Sequence, residues 1–251
     1  MHYIVLDLEF NQDFTDITVK DITSHKYPFE IIQFGAVKLD FNLNFIGSFN
    51  RYVKPLIYNN VNPIITDITG ITSDMLMNEK NFPEIYNEFI EFIEDSDSIL
   101  CIWGMSDIKE LYKSAEYYNM NMQFLPKMFI NLQPHASMYF KLHKKTQLKL
   151  KNVVEILDIP IIDKFHDALN DSIYTAEVFK KIYSNSIQPK IYDPSYIKPR
   201  NRQPKKIIDV DALIQQFEKM YNREMTDEEK AIILLAYKMG KTNQFLKISE
   251  V

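Results

Sequence analysis

Residues 3–10 read YIVLDLEF, a run of β-forming side chains interrupted by two acids. The run lacks helical spacing and predicts a strand. Because side chains two positions apart on a strand project from one face, the carboxylates of Asp7 and Glu9 converge at the C-terminal end of this strand. Two like charges in apolar surroundings are costly unless a cation lies between them. The stretch favours a metal site, and an ordinary acidic turn after a strand is the alternative.

Alternating strands and helices follow this first strand. Residues 30–40 and 45–53 flank a turn-like Asn-Leu-Asn and predict an antiparallel hairpin. The later predicted elements are a helix opened by Pro83, a strand at 99–103, a helix at about 107–118, a strand at 129–132, and helices at 150–157 and 168–183. This order predicts an α/β protein with a mixed five-stranded sheet flanked by helices.

The composition excludes several classes of protein. With 46% hydrophobic and 25% charged residues, the chain is not wholly disordered, and no apolar run is long enough to predict a membrane span. None of the five glycines forms a nucleotide-binding GxGxxG or P-loop motif. The first residues lack the basic stretch of a signal peptide, and one cysteine, Cys101, cannot form an internal disulfide or a zinc cluster. We therefore expect a cytoplasmic protein.

The composition changes after residue 183. Residues 1–183 hold 17 basic and 25 acidic side chains, whereas 184–251 hold 12 and 9. We predict a main domain over 1–183, a basic, proline-rich linker over 184–206, and a helical C-terminal extension over 207–251. Residues 207–248 of this extension predict two amphipathic helices, and the second is opened by the capping box TDEE at 226–229. The basic arm either follows a phosphate backbone or is a solvated tether to these helices.

Three further candidate site residues come later in the chain. Asp107 lies between an apolar strand and a helix, where α/β proteins form their sites, although its spacing to Glu110 also fits a helix cap. His166 and Asp171 are five positions apart, so His166 is expected in the loop before the helix and Asp171 inside it. Asp171 shares its predicted helix face with small residues that allow close approach to a sheet: Ala168, Ser172, Thr175 and Ala176.

Together these acids and the histidine form a specific pattern. The segment 7–9 (DLE), Asp107 and the segment 166–171 (HDALND) resemble, in this order, the DEDDh exonuclease superfamily. The resemblance covers residues 1–183 and implies a ribonuclease H-like (RNase H-like) fold and 3′–5′ exonuclease activity. The segments 7–9 (DLE) and 30–34 (EIIQF) are similar to the Eri1-like branch and to bacterial exonucleases named as inhibitors of a sporulation-kinase pathway.

The resemblance also implies roles for individual residues. It implies two ions of Mg²⁺ or Mn²⁺ held by Asp7, Glu9, Asp107 and Asp171. His166 would be the general base, and a free imidazole titrates near neutrality. The metal ions would offset the acidity of the domain, so a polyanionic substrate is compatible with its net negative charge.

A loop at 68–72 is similar to the substrate loop of the superfamily, and Thr72 or Ser73 within or after it is suited to cap a short helix. By resemblance, Gly70 and Ile71 of this loop hold the terminal nucleotide together with the backbone around Phe10 and Asn11. The expected substrate is the single-stranded 3′ end of RNA or DNA, with RNA slightly favoured, and no membrane is involved.

The sequence also leaves alternatives open for the function of the whole chain and of two of its segments. A regulatory protein could keep the fold and bind nucleic acid or protein, and residues 207–251 could contact a protein partner or a second copy of the chain. The lysine-rich run before the last helices of the domain is either a solvated face or a track for phosphates. Its members are Lys141, Lys144, Lys145, Lys149 and Lys151.

Overall fold

A computed structural model describes residues 2–12, 29–143, 145–196 and 208–241. The chain forms two compact units, one ending at Tyr196 and the other beginning at Ile197. The first unit thus extends beyond residue 183, and the predicted boundaries at 183 and 206 stay a prediction. The last ten residues of the basic linker, 197–206, and Lys144 of the lysine-rich run lie outside the described residues.

The first unit contains a mixed sheet in the order β3-β2-β1-β4-β5-β6. Its strands are β1 (Tyr3–Gln12), β2 (Phe29–Leu39), β3 (Phe45–Tyr52), β4 (Ile99–Ile102), β5 (Met128–Asn131) and β6 (Lys190–Ile191). β1 is antiparallel to β2 and parallel to β4, and β6 is antiparallel to β5. The five predicted strands and the mixed α/β class are confirmed. The sixth strand was not predicted because two exposed residues show no alternating pattern.

Helices pack on both faces of this sheet. They are α1 (Pro63–Thr69), α2 (Ser73–Leu76), α3 (Phe82–Ile93), α4 (Ser106–Tyr117), α5 (Leu132–Tyr139), α6 (Leu150–Ile156) and α7 (Ala168–Ile182). The apolar faces of α3 and α4 pack with Ile4, Leu6 and Leu8 of β1. Tyr3 and Val5 pack on the opposite face with α7. Because faces alternate along a strand, Asp7 and Glu9 continue the row that faces α7.

The start of α7 lies directly on the backbone of β2. A Cβ atom added to Gly35 would lie 1.9 Å from the carbonyl carbon of Ala168, so a side chain at this position would force the helix away. Gly35 is the β2 residue paired with Asp7. The small residues predicted on this helix face are all buried: Ala168, Ser172, Thr175 and Ala176. This close approach carries Asp171 toward β1.

The second unit contains two helices, α8 (Val210–Tyr221) and α9 (Asp227–Lys241). The backbone N–H of Thr226 donates to the carboxylate of Glu229, and the N–H of Glu229 donates back to the Thr226 hydroxyl. The predicted capping box is therefore confirmed, and residues 242–248 of the predicted second helix lie outside the described part. In neither unit is any described helix sufficiently long and apolar to cross a bilayer.

Candidate active site

The first two acids lie on an unusually long strand. The β1–β4 ladder ends at the Leu6–Ile102 pair, whereas β1 continues to Gln12 beside β2. Asp7 and Glu9 are therefore inside β1 and beyond the end of β4, and their expected position at the end of β1 is wrong. Asp7 and Glu9 lie just past the C-terminal end of β4, the strand that runs parallel to β1. The register between β1 and β2 shifts directly after Glu9, and such irregularities often redirect side chains at sites.

The third acid belongs to the helix that follows β4. Asp107 is in the first turn of α4 and is buried. The backbone N–H of Leu8 in β1 donates to its carboxylate. The N-cap residue of α4 is Met105, which makes no side-chain capping bond, and Glu110 pairs with Lys113 at 2.6 Å. The capping alternative for Asp107 is therefore wrong, because its carboxylate is bound to the strand that carries Asp7.

His166 precedes α7 and Asp171 lies in the first turn of α7, as the sequence predicted. The backbone N–H of His166 donates to Asp171 Oδ2 at 3.1 Å, and the φ angle of His166 is +64°, in the left-handed region. Single ligand atoms of Glu9, His166 and Asp171 all lie within 4.8 Å of one another. The tight turn thus places an exposed imidazole beside two carboxylates.

Sequence reasoning missed a glutamine that fixes this turn. Gln33 of β2 is fully buried, and its Oε1 accepts the backbone N–H of Ala168 at 3.2 Å. Its Nε2 donates to Asp167 Oδ2 and to Asn50 Oδ1, each at 3.1 Å. Buried side-chain amides need hydrogen-bond partners. A lone glutamine in a predicted apolar strand could therefore have indicated a hydrogen-bonding role for Gln33. Gln33 holds the N-terminus of α7, and through it the position of Asp171.

Burial raises the pKa values of the four carboxyl groups, which makes them weaker acids than usual. Loss of hydration, followed by repulsion from Asp107 and Glu9, raises the pKa of Asp7 well above its ordinary value. Burial and the charges of Asp171 and Asp107 raise the pKa of Glu9 to about 8. Burial also raises the pKa of Asp107 to about 7 and that of Asp171 to about 6. These groups resist joint ionisation unless positive charge is supplied.

The donor set fits divalent metal ions. Asp171 Oδ1 is buried and has no hydrogen-bond partner among the described residues. Carboxylate oxygens are the ligands that Mg²⁺ and Mn²⁺ prefer, and a bound cation would satisfy both this atom and the repulsion among the acids. The chemistry of Asp7, Glu9, Asp107 and Asp171 therefore fits a divalent metal, and their individual roles as ligands stay a prediction.

Phe10 and Asn11 of β1 are tied to neighbouring segments. Asn11 is buried, and its side chain donates to Asn60 O at 3.0 Å and accepts the N–H of Asn62 at 2.9 Å. Phe10 is half-buried and packs edge-to-face with Phe29, with ring centroids 6.1 Å apart. The Asn11 side chain is thus used by the fold, while the predicted nucleotide contact through the backbone stays a prediction.

The loop predicted at 68–72 is shorter than expected, because α1 occupies residues up to Thr69. Gly70 ends this helix with a φ of +79°, a conformation that glycine adopts without strain, and Thr72 caps α2. Ile71 is buried in a small apolar cluster, so its side chain lies in the core. The roles of Gly70 and Ile71 in binding a nucleotide stay predictions.

Lys164 was also missed by sequence reasoning. Its Nζ donates to Thr69 O at 2.7 Å and lies 2.8 Å from where a Cβ of Gly70 would be. The positive charge of Lys164 opposes the rise in the pKa of Glu9. Lys164 therefore connects the segment around Gly70 to the segment that precedes His166.

The mixed sheet and its buried acidic cluster define an RNase H-like protein. The chain belongs to the RNase T exonuclease family, whose model, described as an exonuclease, matches residues 4–179. The resemblance to DEDDh exonucleases is thereby confirmed. A solved relative in fold is the nuclease domain of 3′hExo, described as a DEDDh family member bound to rAMP. It superposes with a TM-score of 0.63 at 21% identity, covering 76% of this chain and 96% of that chain.

Two curated relatives are similar in sequence. The 3′-5′ exonuclease crn-4 of Caenorhabditis elegans is 25% identical over 198 residues, which cover 71% of this chain and 62% of crn-4. The 3′-5′ exoribonuclease 1 of Rattus norvegicus is 24% identical over 172 residues, which cover 64% of this chain and 49% of that protein. The chain thus covers less than two thirds of the length of either relative.

Proposed function

We propose that this protein is a metal-dependent 3′–5′ exonuclease that releases nucleoside 5′-monophosphates from single-stranded ends of RNA or DNA. The observation that carries the proposal is the cluster itself: four carboxyl groups on three different elements, with an exposed histidine in ligand range of two of them. Both curated relatives are named as 3′-5′ exonucleases, which supports the direction of degradation.

The four acids share one task in this proposal, which is to hold the metal ions. Asp7, Glu9, Asp107 and Asp171 would hold two ions of Mg²⁺ or Mn²⁺. When bound, two such ions supply an activated water and stabilise the departing 3′ oxygen of a phosphodiester. The protein contributes a rigid arrangement, since Leu8 N–H fixes Asp107 and His166 N–H fixes Asp171. Repulsion among the empty carboxylates favours loading of the site.

His166 would take the proton from the attacking water at a ring nitrogen. Its side chain is exposed, so it can exchange this proton with solvent, and its backbone is anchored to Asp171. Asp167 caps α7 and is itself bound by Gln33, which limits movement of the turn. A positioned base of this kind contributes roughly 10²–10⁴-fold to the rate.

The terminal nucleotide would lie between β1 and the segment around Gly70. The backbone near Phe10 and Asn11 would form one side, and Gly70 with Ile71 the other, with Lys164 available to the phosphate. The tie from Lys164 to Thr69 supports this arrangement because it joins the two sides of the site at 2.7 Å. Preference for RNA over DNA stays a prediction.

A binding protein without catalysis is the less favoured proposal, because it would not need four metal-suited acids and a histidine together. Contact of residues 207–251 with a protein partner or a second copy stays a prediction, and so does the cytoplasmic location. The exposed apolar side chains of this unit include Met220, Tyr221, Ile232, Leu235 and Tyr237.

A time course on labelled oligonucleotides tests the function. We expect 5′-labelled single-stranded RNA and DNA to shorten one nucleotide at a time with Mg²⁺ or Mn²⁺, and to stay intact with a chelator. His166→Ala should lower kcat by roughly 10²–10⁴-fold while oligonucleotide binding is retained. The matched control is His143→Ala, which removes an exposed histidine outside the cluster.

Two results would contradict the proposal. Release of internal fragments would indicate an endonuclease, and loss of the 5′ label as a mononucleotide at the first step would indicate the opposite polarity. A His166→Ala rate equal to that of His143→Ala would remove the histidine from the mechanism.

A further inference from the structure

A groove of about 800 Å³ opens beside the catalytic cluster. His166 and Asp171 form part of its lining, so the groove is continuous with the proposed site. Its other wall carries two members of the lysine-rich run, Lys149 and Lys151, and two aromatic side chains, Trp103 and Phe165. The groove is within the size range that holds a drug-sized molecule, which is comparable to a nucleotide.

The wall that carries the lysines is held in place. Leu148 O accepts the indole N–H of Trp103 at 3.1 Å and the Gln133 amide at 2.9 Å. The buried Ser137 hydroxyl donates to Thr146 O at 2.7 Å. Lys149 directly follows this anchored segment and Lys151 lies in the first turn of α6. Their backbone positions relative to His166 are therefore set by the fold.

Both lysine side chains are exposed, and within the described residues neither has a carboxylate at ion-pair distance. Glu155 is the acid of the groove wall apart from Asp171. Lys145 belongs to the same run but is not part of the groove lining. Two positive charges thus border the groove that leads to the catalytic cluster, and polyanions are the ligands such a surface attracts.

We propose that this groove binds the backbone phosphates of the nucleotides that precede the 3′-terminal one. Lys149 and Lys151 pair with those phosphates, and the apolar faces of Trp103 and Phe165 contact the bases, as aromatic side chains do in single-strand binding. The proposal rests on the exonuclease function above and specifies its substrate class: strands of several nucleotides are preferred to dinucleotides.

Substrate length provides the test. We compare kcat/KM for a dinucleotide and for a hexanucleotide of the same sequence, in the wild type and in the double variant Lys149→Gln/Lys151→Gln. The preference for the hexanucleotide should fall by roughly tenfold in the double variant, because two exposed ion pairs are lost. Lys145→Gln is the matched control and should keep the wild-type preference.

Salt dependence gives a second readout. For the hexanucleotide, the slope of log affinity against log salt should become shallower by about 1.4 in the double variant, since each phosphate contact on a single strand contributes about 0.7. Lys149→Arg/Lys151→Arg should restore both the slope and the length preference. Equal thermal stability of all variants shows that the fold is intact.

The outcomes separate this inference from the proposed function. If the wild type hydrolyses neither substrate, the exonuclease function itself fails. If the wild type hydrolyses both, and the double variant keeps the length preference and salt slope of Lys145→Gln, the groove does not bind the strand. An equal loss on dinucleotide and hexanucleotide also overturns the inference, because it assigns the lysines to the terminal nucleotide.

Discussion

Two groups of carboxylates in the first unit differ in their hydrogen-bond partners: Glu30 on β2, and the acidic cluster around Asp7. Glu30 on β2 is buried, and it accepts three backbone N–H groups from Leu56, Ile57 and Tyr58 at 2.5–3.0 Å. In the cluster around Asp7, Asp107 and Asp171 are buried and Asp7 and Glu9 are half-buried. Burial and repulsion from the neighbouring acids raise the pKa of Asp7, and Asp171 Oδ1 has no hydrogen-bond partner among the described residues. A buried carboxylate whose oxygens are all satisfied by N–H donors stabilises a fold, whereas clustered carboxylates with an unsatisfied oxygen are suited to bind a cation.

The largest expected effect is on activity. Asp7→Asn should lower turnover roughly 10³-fold or more, because a carboxylate is lost from the centre of the cluster. Glu30→Gln should keep activity within about threefold, since Glu30 supports a loop and does not face the cluster. Initial rates on a labelled oligonucleotide with saturating Mg²⁺ measure both variants. Turnover by Asp7→Asn at the wild-type rate would show that the site is misassigned.

The two places should also differ in stability, with opposite signs. Glu30→Gln should lower the free energy of unfolding by about 2 kcal/mol, because a neutral amide oxygen replaces an acceptor of three N–H groups. In metal-free protein at pH 8, Glu9→Gln should raise it by about 2 kcal/mol, because a repelled, buried charge is removed. Urea unfolding at equal protein concentration measures both changes. Destabilisation by Glu9→Gln of the same size as Glu30→Gln would remove the distinction between the two places.

The smallest expected effect is a pH-dependent shift in Tm. The folded protein holds the protons of Glu9 up to about pH 8, Asp107 to about pH 7 and Asp171 to about pH 6, whereas the unfolded chain releases them near pH 4. The folded state therefore binds more protons across this range, and metal-free stability falls as the pH rises from about 5 to about 8.

Mg²⁺ should reverse that fall. Thermal scans should show a rise in Tm with Mg²⁺ of several degrees at pH 8 and a smaller rise at pH 5.5, where protons compete for the same oxygens. Asp171→Asn should reduce the rise, and Glu30→Gln should keep it. An equal rise at both pH values would indicate that Mg²⁺ binds elsewhere on the protein.

Much of the fold followed from local patterns. The alternation of β1 and the helical spacing of α7 were readable because each depends on neighbours in the chain. The helix α5, the strand β6 and the full length of β1 were missed. In β1 the last residues, 11–12, are polar, and they become strand through pairing with β2. Pairing partners that are distant in the chain leave no local pattern.

The sequence indicated which residues form the candidate site, but it did not indicate which residues hold them in position. Four acids and a histidine could be singled out because these residue types in that order are typical of one superfamily, and their catalytic roles stay a prediction. Gln33 and Lys164 were missed because each acts through a residue far away in the chain, Ala168 in one case and Thr69 in the other. Burial of the Ile71 side chain could not be read from the sequence either, because it depends on contacts with Ile32, Val61 and Leu76.

The sequence by itself determined the class of fold, the set of acids and the histidine, because these depend on residue type and on order along the chain. Only the tertiary structure decided which carboxylate oxygens lack a hydrogen-bond partner and which are satisfied, as Asp171 Oδ1 and the two oxygens of Glu30 illustrate. It also decided that Lys149 and Lys151 border the same groove as His166 and Asp171. Burial, donor supply and the distance between charges are properties of packing, and packing joins residues that the chain keeps more than a hundred positions apart.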